Sequence, residues 1–338
     1  MTSARDIVRD TEWLAHRYDE NADGYRFIRL TREQHRSVTF ITDEYLEGTA
    51  DFEFVPRAAI DPAELPSAPL HFIFHSAYCC STVLARAFDI EDVSMGMKEP
   101  VLLNDMVGWR RRGAEQGKFV EALDLSLRLL ARPFGTDRAV VAKPSNIVNH
   151  LAFTMLSLRP EARAVLLYAP IEHYLRSIAR KGLWGRRWVR ELFTGLLKDR
   201  IVIGGFNGEE LLELTDLQIA ALGWLSQHAL FAALAQRFPD RVRTLDSETL
   251  LAKPTKCMEA AGKLFGLGID TNSARAIAKG PAFSRSSKDG AAFDKHSRDK
   301  DQLAAAKLHG DEIEKVAAWA AEVARSQGVA MKPPLPLV

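Results

Sequence analysis

Short apolar runs alternate with long amphipathic stretches from about residue 67 onward. The runs are rich in β-branched and aromatic residues and too short to favour helices, so we predict strands. They are LHFIFH (70 to 75), AVVAKP (139 to 144), ARAVLLYAP (162 to 170) and RVRTLDS (241 to 247). The separations are long enough for crossover helices. The pattern therefore predicts an α/β fold with a mainly parallel sheet flanked by helices on both faces.

The chain before these runs has a different pattern. Short helical and aromatic segments such as YRFIRL and VTFITDEYLEG lead into the breaker-rich AAIDPAELPSAP. We predict that residues 1–66 form an N-terminal extension or cap packed on the main domain, and that residues 67–338 form the α/β domain. A helical insertion is expected around residues 181–235, and the arginines and aromatics between about residues 181 and 208 suit an acceptor-facing surface.

Ligands of parallel sheets bind beyond the carboxyl ends of the strands, so the residues after each run carry the functional information. The first run is followed by SAYCCSTVLARAF, the second by Ser145 and Asn146, and the third by IEHYLRSIARKG. These three exits offer hydroxyls, amides or cations near a helix N-terminus, which is the chemistry that holds a phosphate. The fourth exit, SETLLAKP, indicates packing.

Composition and missing motifs exclude several classes. The chain lacks both Gly-x-x-x-x-Gly-Lys-Ser/Thr and Gly-x-Gly-x-x-Gly. A net charge of +1, from 45 basic and 44 acidic residues, argues against a nucleic-acid partner. Cys79, Cys80 and Cys257 form neither a disulfide framework nor a Cys-x-x-Cys metal pattern, so we expect a cytoplasmic protein. No membrane segment is expected, and a homodimer stays open.

One of these exits has a family resemblance. The run HSAYCCSTVLARAFD resembles the phosphosulfate-binding loop of sulfotransferases, which reads Pro-Lys/Arg-Ser-Gly-Thr/Ser-Thr and opens a helix. Ser81 and Thr82 match the closing pair of that motif. Cys79 and Cys80 stand where the family has Ser and Gly, and Tyr78 stands where it has a catalytic Lys or Arg. The resemblance implies a P-loop NTPase-like sulfotransferase fold in which Tyr78 to Thr82 bind the nucleotide cofactor.

Further stretches resemble the same family in the correct order, between about residues 70 and 288. KEPVLLND is similar to the segment that places a catalytic glutamate, here Glu99, after the family's second strand. VVAKPSN is similar to a Lys-Ser/Thr-Pro segment, which gives Lys143. After the next strand, Tyr168 and Ala169 replace the family's Arg-Asp. The serine expected six residues after the proline is Ser177, at the seventh, with Arg176 at the sixth. RTLDSETLLAKP is similar to a late strand and helix start of the family.

The resemblance implies sulfuryl transfer from 3′-phosphoadenosine 5′-phosphosulfate to a hydroxyl or amine of a small-molecule acceptor, without a metal. Because Tyr78 carries no positive charge, the cation must come from Lys143, His75 or Lys98, and we prefer Lys143. Glu99 or His75 would accept the proton. The residues expected at the 3′-phosphate are Arg176 and Ser177, with a basic residue from Arg180, Lys181, Arg285 or Lys288.

Alternative interpretations stay open at this point. Ser81 and Thr82 could merely cap a helix, and His75 could be a satisfied histidine at a strand end. Tyr78 and Tyr168 keep open a nucleotide-binding homologue without transfer activity, or a small-molecule kinase. A protein of another class, a noncatalytic interaction module that uses the RRWVREL helix, would bind no adenosine nucleotide.

Overall fold

A computed structural model describes residues 3–46, 52–284 and 295–338 of the chain. Within them, eight strands form a three-stranded antiparallel sheet and a five-stranded parallel sheet. The strands are β1 (Trp13–Asp19), β2 (Gly24–Arg29), β3 (Phe52–Pro56), β4 (Leu70–His75), β5 (Ser94–Lys98), β6 (Ala139–Lys143), β7 (Ala164–Tyr168) and β8 (Val242–Asp246).

Helices make up most of the remaining described chain. The α-helices are α1 (Ala4–Arg9), α2 (Arg32–Ser37), α3 (Ser81–Ala87), α4 (Leu102–Arg111), α5 (Gln116–Leu130), α6 (Ala152–Leu158), α7 (Ile171–Arg180), α8 (Gly182–Lys198), α9 (Gly208–Glu213), α10 (Asp216–Arg237), α11 (Ser247–Ala252), α12 (Pro254–Phe265), α13 (Thr271–Lys279), α14 (Pro281–Ser284) and α15 (Lys295–Ser326). Short 3₁₀ helices cover Asp43–Tyr45, Arg57–Ala59, Pro62–Glu64 and Asn146–Leu151.

The parallel sheet has the strand order β5-β6-β4-β7-β8. Successive residues of β4 alternate between two apolar cores, because side chains of a strand point to opposite faces. Phe72 and Phe74 lie in the core that contains residues of α4 and α5, whereas Ile73 lies in the core that contains residues of α3 and α7. Helices therefore cover both faces, and the predicted α/β fold is confirmed.

Strand β5 is the one main-sheet strand that the apolar pattern does not reveal. Its sequence, SMGMK, has no β-branched or aromatic residue, which explains why it does not read as a strand. Gly96 in its centre lies against α3 so closely that an added Cβ would meet the Ala85 carbonyl oxygen at 2.1 Å. A glycine is therefore needed at position 96 because the backbone of α3 passes so close, and not because glycine favours a strand.

The antiparallel sheet β1-β2-β3 packs on α4 and α5. Tyr25 and Phe27 of β2 are fully buried in the same core as Phe72, and the Tyr25 hydroxyl donates to the Ala122 carbonyl at 2.9 Å. The segment that follows α2 then runs beside β5, where the Ile41 amide donates to the Lys98 carbonyl at 2.8 Å. This N-terminal region thus reaches the carboxyl edge of the parallel sheet.

Helix α10 is long and apolar enough to span a membrane by length and composition, with a mean hydropathy of 1.3 over its best window. However, 72% of that window is buried inside the protein. Trp224 and Leu225 lie in one apolar core and Phe231 and Leu234 in the other. Core packing thus accounts for the apolar character of this helix.

The C-terminal tail covers the outer edge of the parallel sheet beside β8. The Thr244 amide donates to the Leu335 carbonyl at 2.9 Å, and the Leu337 amide donates to the Thr244 carbonyl at 2.8 Å. These bonds form one parallel bridge between Thr244 and Pro336. The tail therefore occupies main-chain groups that an edge strand would otherwise expose.

Candidate functional site

The carboxyl ends of three neighbouring strands bring the main predicted residues together. His75 ends β4 and Lys143 ends β6, and these strands are adjacent in the sheet. Lys98 ends β5 and is paired in register with Lys143, so that Glu99 follows at the same edge. Sequence proximity plays no part in this arrangement, because crossover connections separate the three strands.

Lys143 and Glu99 form an ion pair in which the Lys143 ammonium donates to Glu99 Oε1. The Lys143 side chain is 1% exposed and the Glu99 side chain 19% exposed. The Glu99 amide also donates to the Lys143 carbonyl at 2.7 Å, which ties the two backbones together. Burial of an ammonium without a partner is costly, so the carboxylate explains why a lysine can end this buried strand.

The backbone of Glu99 has a left-handed conformation, with φ of 51°. A non-glycine residue in this region is uncommon and costs free energy. The conformation directs the chain from β5 toward Pro100 while the side chain stays on Lys143. Strain of this kind at a buried ion pair is typical of a functional position.

His75 has both ring nitrogens engaged by backbone groups. The Ala77 amide donates to Nδ1 at 3.1 Å, so Nε2 carries the proton and donates to the Pro144 carbonyl at 3.0 Å. Burial, followed by the charge of Lys143, lowers the pKa of His75 well below its ordinary value. Although Nε2 is 3.9 Å from Glu99 Oε1, this arrangement favours a neutral histidine that links two strand ends over a proton acceptor.

Lys98, the third candidate cation, points to the N-terminal region. Its ammonium donates to the Arg36 carbonyl at 3.0 Å and to the Val38 carbonyl at 2.6 Å. Burial, and next the charge of Arg86, lowers the pKa of Lys98 to about 8. Lys98 therefore anchors the segment after α2 and does not share the Glu99 carboxylate.

In the loop between β4 and α3, residues 76–80, three residues have a left-handed backbone conformation. Ala77, Tyr78 and Cys80 have φ of 71°, 51° and 62°. Glycine adopts this conformation without a steric penalty, whereas for other residues it costs free energy. Cys80 stands at the position at which the resembling motif has its glycine, so the backbone and the motif agree there. Ala77 stands at the position of the motif's proline, whose ring fixes φ at about −65°, so the loop departs from the motif's backbone at that residue.

Cysteine chemistry and simple helix capping are both disfavoured at this loop. Cys79 is fully buried, and burial raises the pKa of its thiol to about 12. The N-cap residue of α3 is Cys80, whose side chain makes no capping hydrogen bond. Ser81 and Thr82 therefore lie in the first turn of the helix and not at its N-cap position.

Tyr78 lies in a cluster of aromatic rings at the start of the insertion. Its ring centroid is 5.3 Å from that of Trp188 and 6.1 Å from that of Tyr174. The Lys181 ammonium lies 5.8 Å from the Tyr78 ring centroid and 4.8 Å from that of Trp184. Lys181, directly after α7, thus lies beside the tyrosine that stands where the resembling motif has a basic residue.

The predicted phosphate residues of α7 are only partly directed to this loop. Tyr174 is the α7 residue whose ring contacts Tyr78, and Ser177 lies three residues later on the same helix face. Arg176 lies two residues later and on a different face. The Ser177 hydroxyl donates to the His173 carbonyl at 2.8 Å within the helix. Arg285 and Lys288 lie outside the described residues.

Buried polar atoms without a hydrogen-bond partner occur at the same strand exits. Within the described part of the chain they include Ser76 Oγ after β4, and Asn146 Nδ2 and Asn149 Oδ1 after β6. The Asn149 amide group also donates to the His75 carbonyl at 2.9 Å, which joins the two exits. Such atoms are rare in folded proteins and are often explained by bound water or by function.

Phe40, which the sequence analysis does not identify, also lies at the carboxyl edge of the parallel sheet. Phe40 lies with its ring centroid 4.8 Å from the Lys143 ammonium, although 103 residues separate them in the chain. No motif marks this residue, because a cation–π contact between distant segments leaves no local pattern. Among the described residues, no group of three or more His, Cys, Asp or Glu side chains is arranged to hold a metal ion.

Comparisons with known proteins add a likeness to solved structures. No family model and no curated protein matches the chain. One similar solved structure is the sulfotransferase domain from the curacin biosynthetic pathway, with a TM-score of 0.43 and 11% sequence identity. The match covers 72% of this chain and 98% of that domain. A likeness at this level carries no argument about activity, which has to be argued from the site itself.

Proposed function

We propose that the protein is a sulfotransferase that uses 3′-phosphoadenosine 5′-phosphosulfate and acts on a hydroxyl or amine of a small-molecule acceptor. The observation that carries this proposal is the buried Lys143–Glu99 pair at the carboxyl edge of the sheet. The loop of residues 76–80, which resembles a phosphosulfate-binding loop, leaves the neighbouring strand at the same edge. A cation, a base and an anion-binding turn are what this transfer requires.

Glu99 and Lys143 would have different roles in the transfer. The donor supplies a sulfuryl group that passes to the acceptor oxygen or nitrogen as its bond to the phosphate oxygen breaks, leaving adenosine 3′,5′-bisphosphate. Glu99, the more exposed member of the pair, would take the acceptor proton. Lys143 would stabilise the negative charge that develops on the departing phosphate, by analogy with cations in phosphoryl transfer.

The residues of the loop suit an anionic ligand despite their divergence. The left-handed backbone of Cys80 supports an anion-binding turn of the family's type at this position. Ser81 and Thr82 contribute hydroxyls, and Lys181 lies beside the Tyr78 ring. Ser177 on the loop-facing side of α7 would contact the 3′-phosphate, with Arg176 and the basic residues Arg285 and Lys288 as further candidates. Unpartnered polar atoms at Ser76 and Asn146 are consistent with a polar ligand nearby.

Nucleotide binding tests the proposal without knowledge of the acceptor. The thermal stability of the wild-type protein is measured while adenosine 3′,5′-bisphosphate, or ATP with magnesium, is titrated. A ligand at 100 times its dissociation constant stabilises a protein by about 2.7 kcal/mol. Stabilisation by the bisphosphate and not by ATP supports the proposal, whereas no shift with either nucleotide refutes it.

A lysine variant connects binding to the site. Lys143→Ala should weaken the stabilisation by the bisphosphate, while Lys263→Ala, at an exposed position of α12, should leave it unchanged. Because Lys143→Ala also disturbs a buried pair, the shifts are compared relative to each variant's own unliganded midpoint. Equal nucleotide-induced shifts in the two variants would remove Lys143 from the nucleotide site.

A homologue that binds nucleotide without transferring a group is the second candidate. Tyr168, at the position of the family's arginine, is buried, and burial raises the pKa of its hydroxyl to about 12. The hydroxyl therefore stays neutral and cannot replace a guanidinium. Binding of the bisphosphate together with no loss of ³⁵S from labelled donor, over a panel of phenols, alcohols and amines, would favour this candidate.

A further inference from the structure

Phe40 comes from the N-terminal region and yet lies at the edge of the sheet that carries the candidate site. The centroid of its ring lies 4.8 Å from the Lys143 ammonium. The Lys143 side chain is buried and forms an ion pair with Glu99. A second ring, that of Tyr45, packs edge-on against Phe40 at 5.4 Å. The ammonium thus has a carboxylate and an aromatic face as neighbours, both of which are attractive to a cation.

A set of main-chain bonds holds Phe40 in place. The Lys98 ammonium donates to the carbonyls of Arg36 and Val38 at 3.0 Å and 2.6 Å. The Ile41 amide donates to the Lys98 carbonyl at 2.8 Å, and the Ile41 carbonyl accepts from the Val101 amide at 3.1 Å. Phe40 lies between these anchored positions, so its backbone is fixed to β5 and to the turn after it.

We propose that Phe40 is a positioning residue for Lys143, and that the bonds of Lys98 to residues 36–38 hold it there. The aromatic ring closes the ammonium off from water and keeps it directed at Glu99. The N-terminal region is therefore part of the site. Relevance to sulfuryl transfer rests on the proposed function, whereas the effect on the reactivity of Lys143 does not.

Competitive acetylation tests the proposal directly. The folded protein is treated with trace isotope-labelled acetic anhydride, and mass spectrometry compares the modification of Lys143 with that of the exposed Lys118 and Lys263. In Phe40→Leu, which keeps apolar bulk and loses the ring, the relative rate at Lys143 should rise about tenfold. Phe40→Tyr keeps the aromatic face and should restore the protection seen in the wild type.

Lys98→Met provides a second route to the same outcome, because it removes the donors and keeps the length of the side chain. It should raise the labelling of Lys143 as Phe40→Leu does. Circular dichroism and thermal midpoints confirm that each variant is folded at the labelling temperature, and Phe40→Met replaces Phe40→Leu if that protein does not fold. Unchanged labelling of Lys143 in folded Phe40→Leu or Phe40→Met overturns the proposal, and so does equal labelling in Phe40→Leu and Phe40→Tyr.

Nucleotide binding distinguishes this inference from the proposed function. If Lys143 becomes reactive in Phe40→Leu and the wild type binds no bisphosphate, Phe40 positions Lys143 and the sulfotransferase proposal fails. If the wild type binds the bisphosphate and labelling of Lys143 is the same in all folded variants, only the role of Phe40 fails. Where both hold, bisphosphate should also protect Lys143 from acetylation in Phe40→Leu.

Discussion

Replacement of the two members of the Lys143–Glu99 pair should have unequal effects on stability. Glu99→Leu removes the carboxylate from an ammonium whose side chain is 1% exposed. Breaking a buried ion pair in this way costs about 3–5 kcal/mol, because the remaining charge has lost its partner in a medium that solvates it poorly. Lys143→Met leaves a carboxylate that is 19% exposed and can recover part of its hydration. We expect that variant to lose about 1–3 kcal/mol.

The double variant Glu99→Leu/Lys143→Met separates charge from packing. Well-packed apolar residues of similar volume often replace a buried ion pair without loss of stability, so we expect the double variant to be more stable than Glu99→Leu alone. The coupling energy of the double-mutant cycle should be favourable to the native pair by about 2–3 kcal/mol. Its sign and size measure the electrostatic part of the interaction.

Urea denaturation followed by circular dichroism at neutral pH gives the four free energies of unfolding, provided that the m-values agree. The control is Glu191→Leu, which breaks the exposed pair Arg187–Glu191 on α8 and should cost less than about 1 kcal/mol. A loss in Lys143→Met equal to or greater than that in Glu99→Leu would refute the reasoning. Such a result would mean that the lysine is better hydrated than its exposure indicates.

Two further predictions concern residues beside this pair. Burial lowers the pKa of Lys98 to about 8 in the folded protein, from its ordinary value of 10.5. Between these two pH values Lys98 is therefore mostly protonated in the unfolded chain and mostly neutral in the folded protein. The free energy of unfolding of the wild type should therefore rise over this pH window relative to Lys98→Met, and a difference that falls or stays constant would contradict the burial of the ammonium. At Cys80, whose φ is 62°, Cys80→Gly should be about 1 kcal/mol more stable than Cys80→Ala in urea denaturation, and the reverse order would contradict the left-handed backbone.

Apolar patterning predicts the parallel sheet well, because each buried strand except β5 carries its own local signal. The runs at 70 to 75 and 139 to 144 overlap β4 and β6 closely, and Lys143 can be identified as unusual because it ends an apolar strand. Strand β5 has no such signal, since Gly96 serves close packing against α3. The resemblance, and not the pattern, indicates a strand before Glu99.

The site is less predictable than the fold because it depends on contacts between distant segments. Sequence order does not show that His75 has both nitrogens engaged by backbone, or that Lys98 points to Arg36 and not to Glu99. The contact of Phe40 with Lys143 cannot be predicted from the sequence for the same reason. Its role depends on a main-chain path that is set by hydrogen bonds to β5.

A cation at the end of a strand has different consequences from a cation in a loop. A loop lysine is hydrated before it binds its ligand, whereas Lys143 is already desolvated and held by the sheet, so little reorganisation is needed when a negative charge develops beside it. The cost is that a permanent counter-charge is needed in the unliganded protein, and Glu99 supplies it. Under the proposed function, protonation of Glu99 by the acceptor removes that counter-charge as the leaving phosphate becomes negative. The same proton transfer would then activate the acceptor and release Lys143 to stabilise the leaving group, which would compensate for Tyr78 at the position where the resembling motif has its cation.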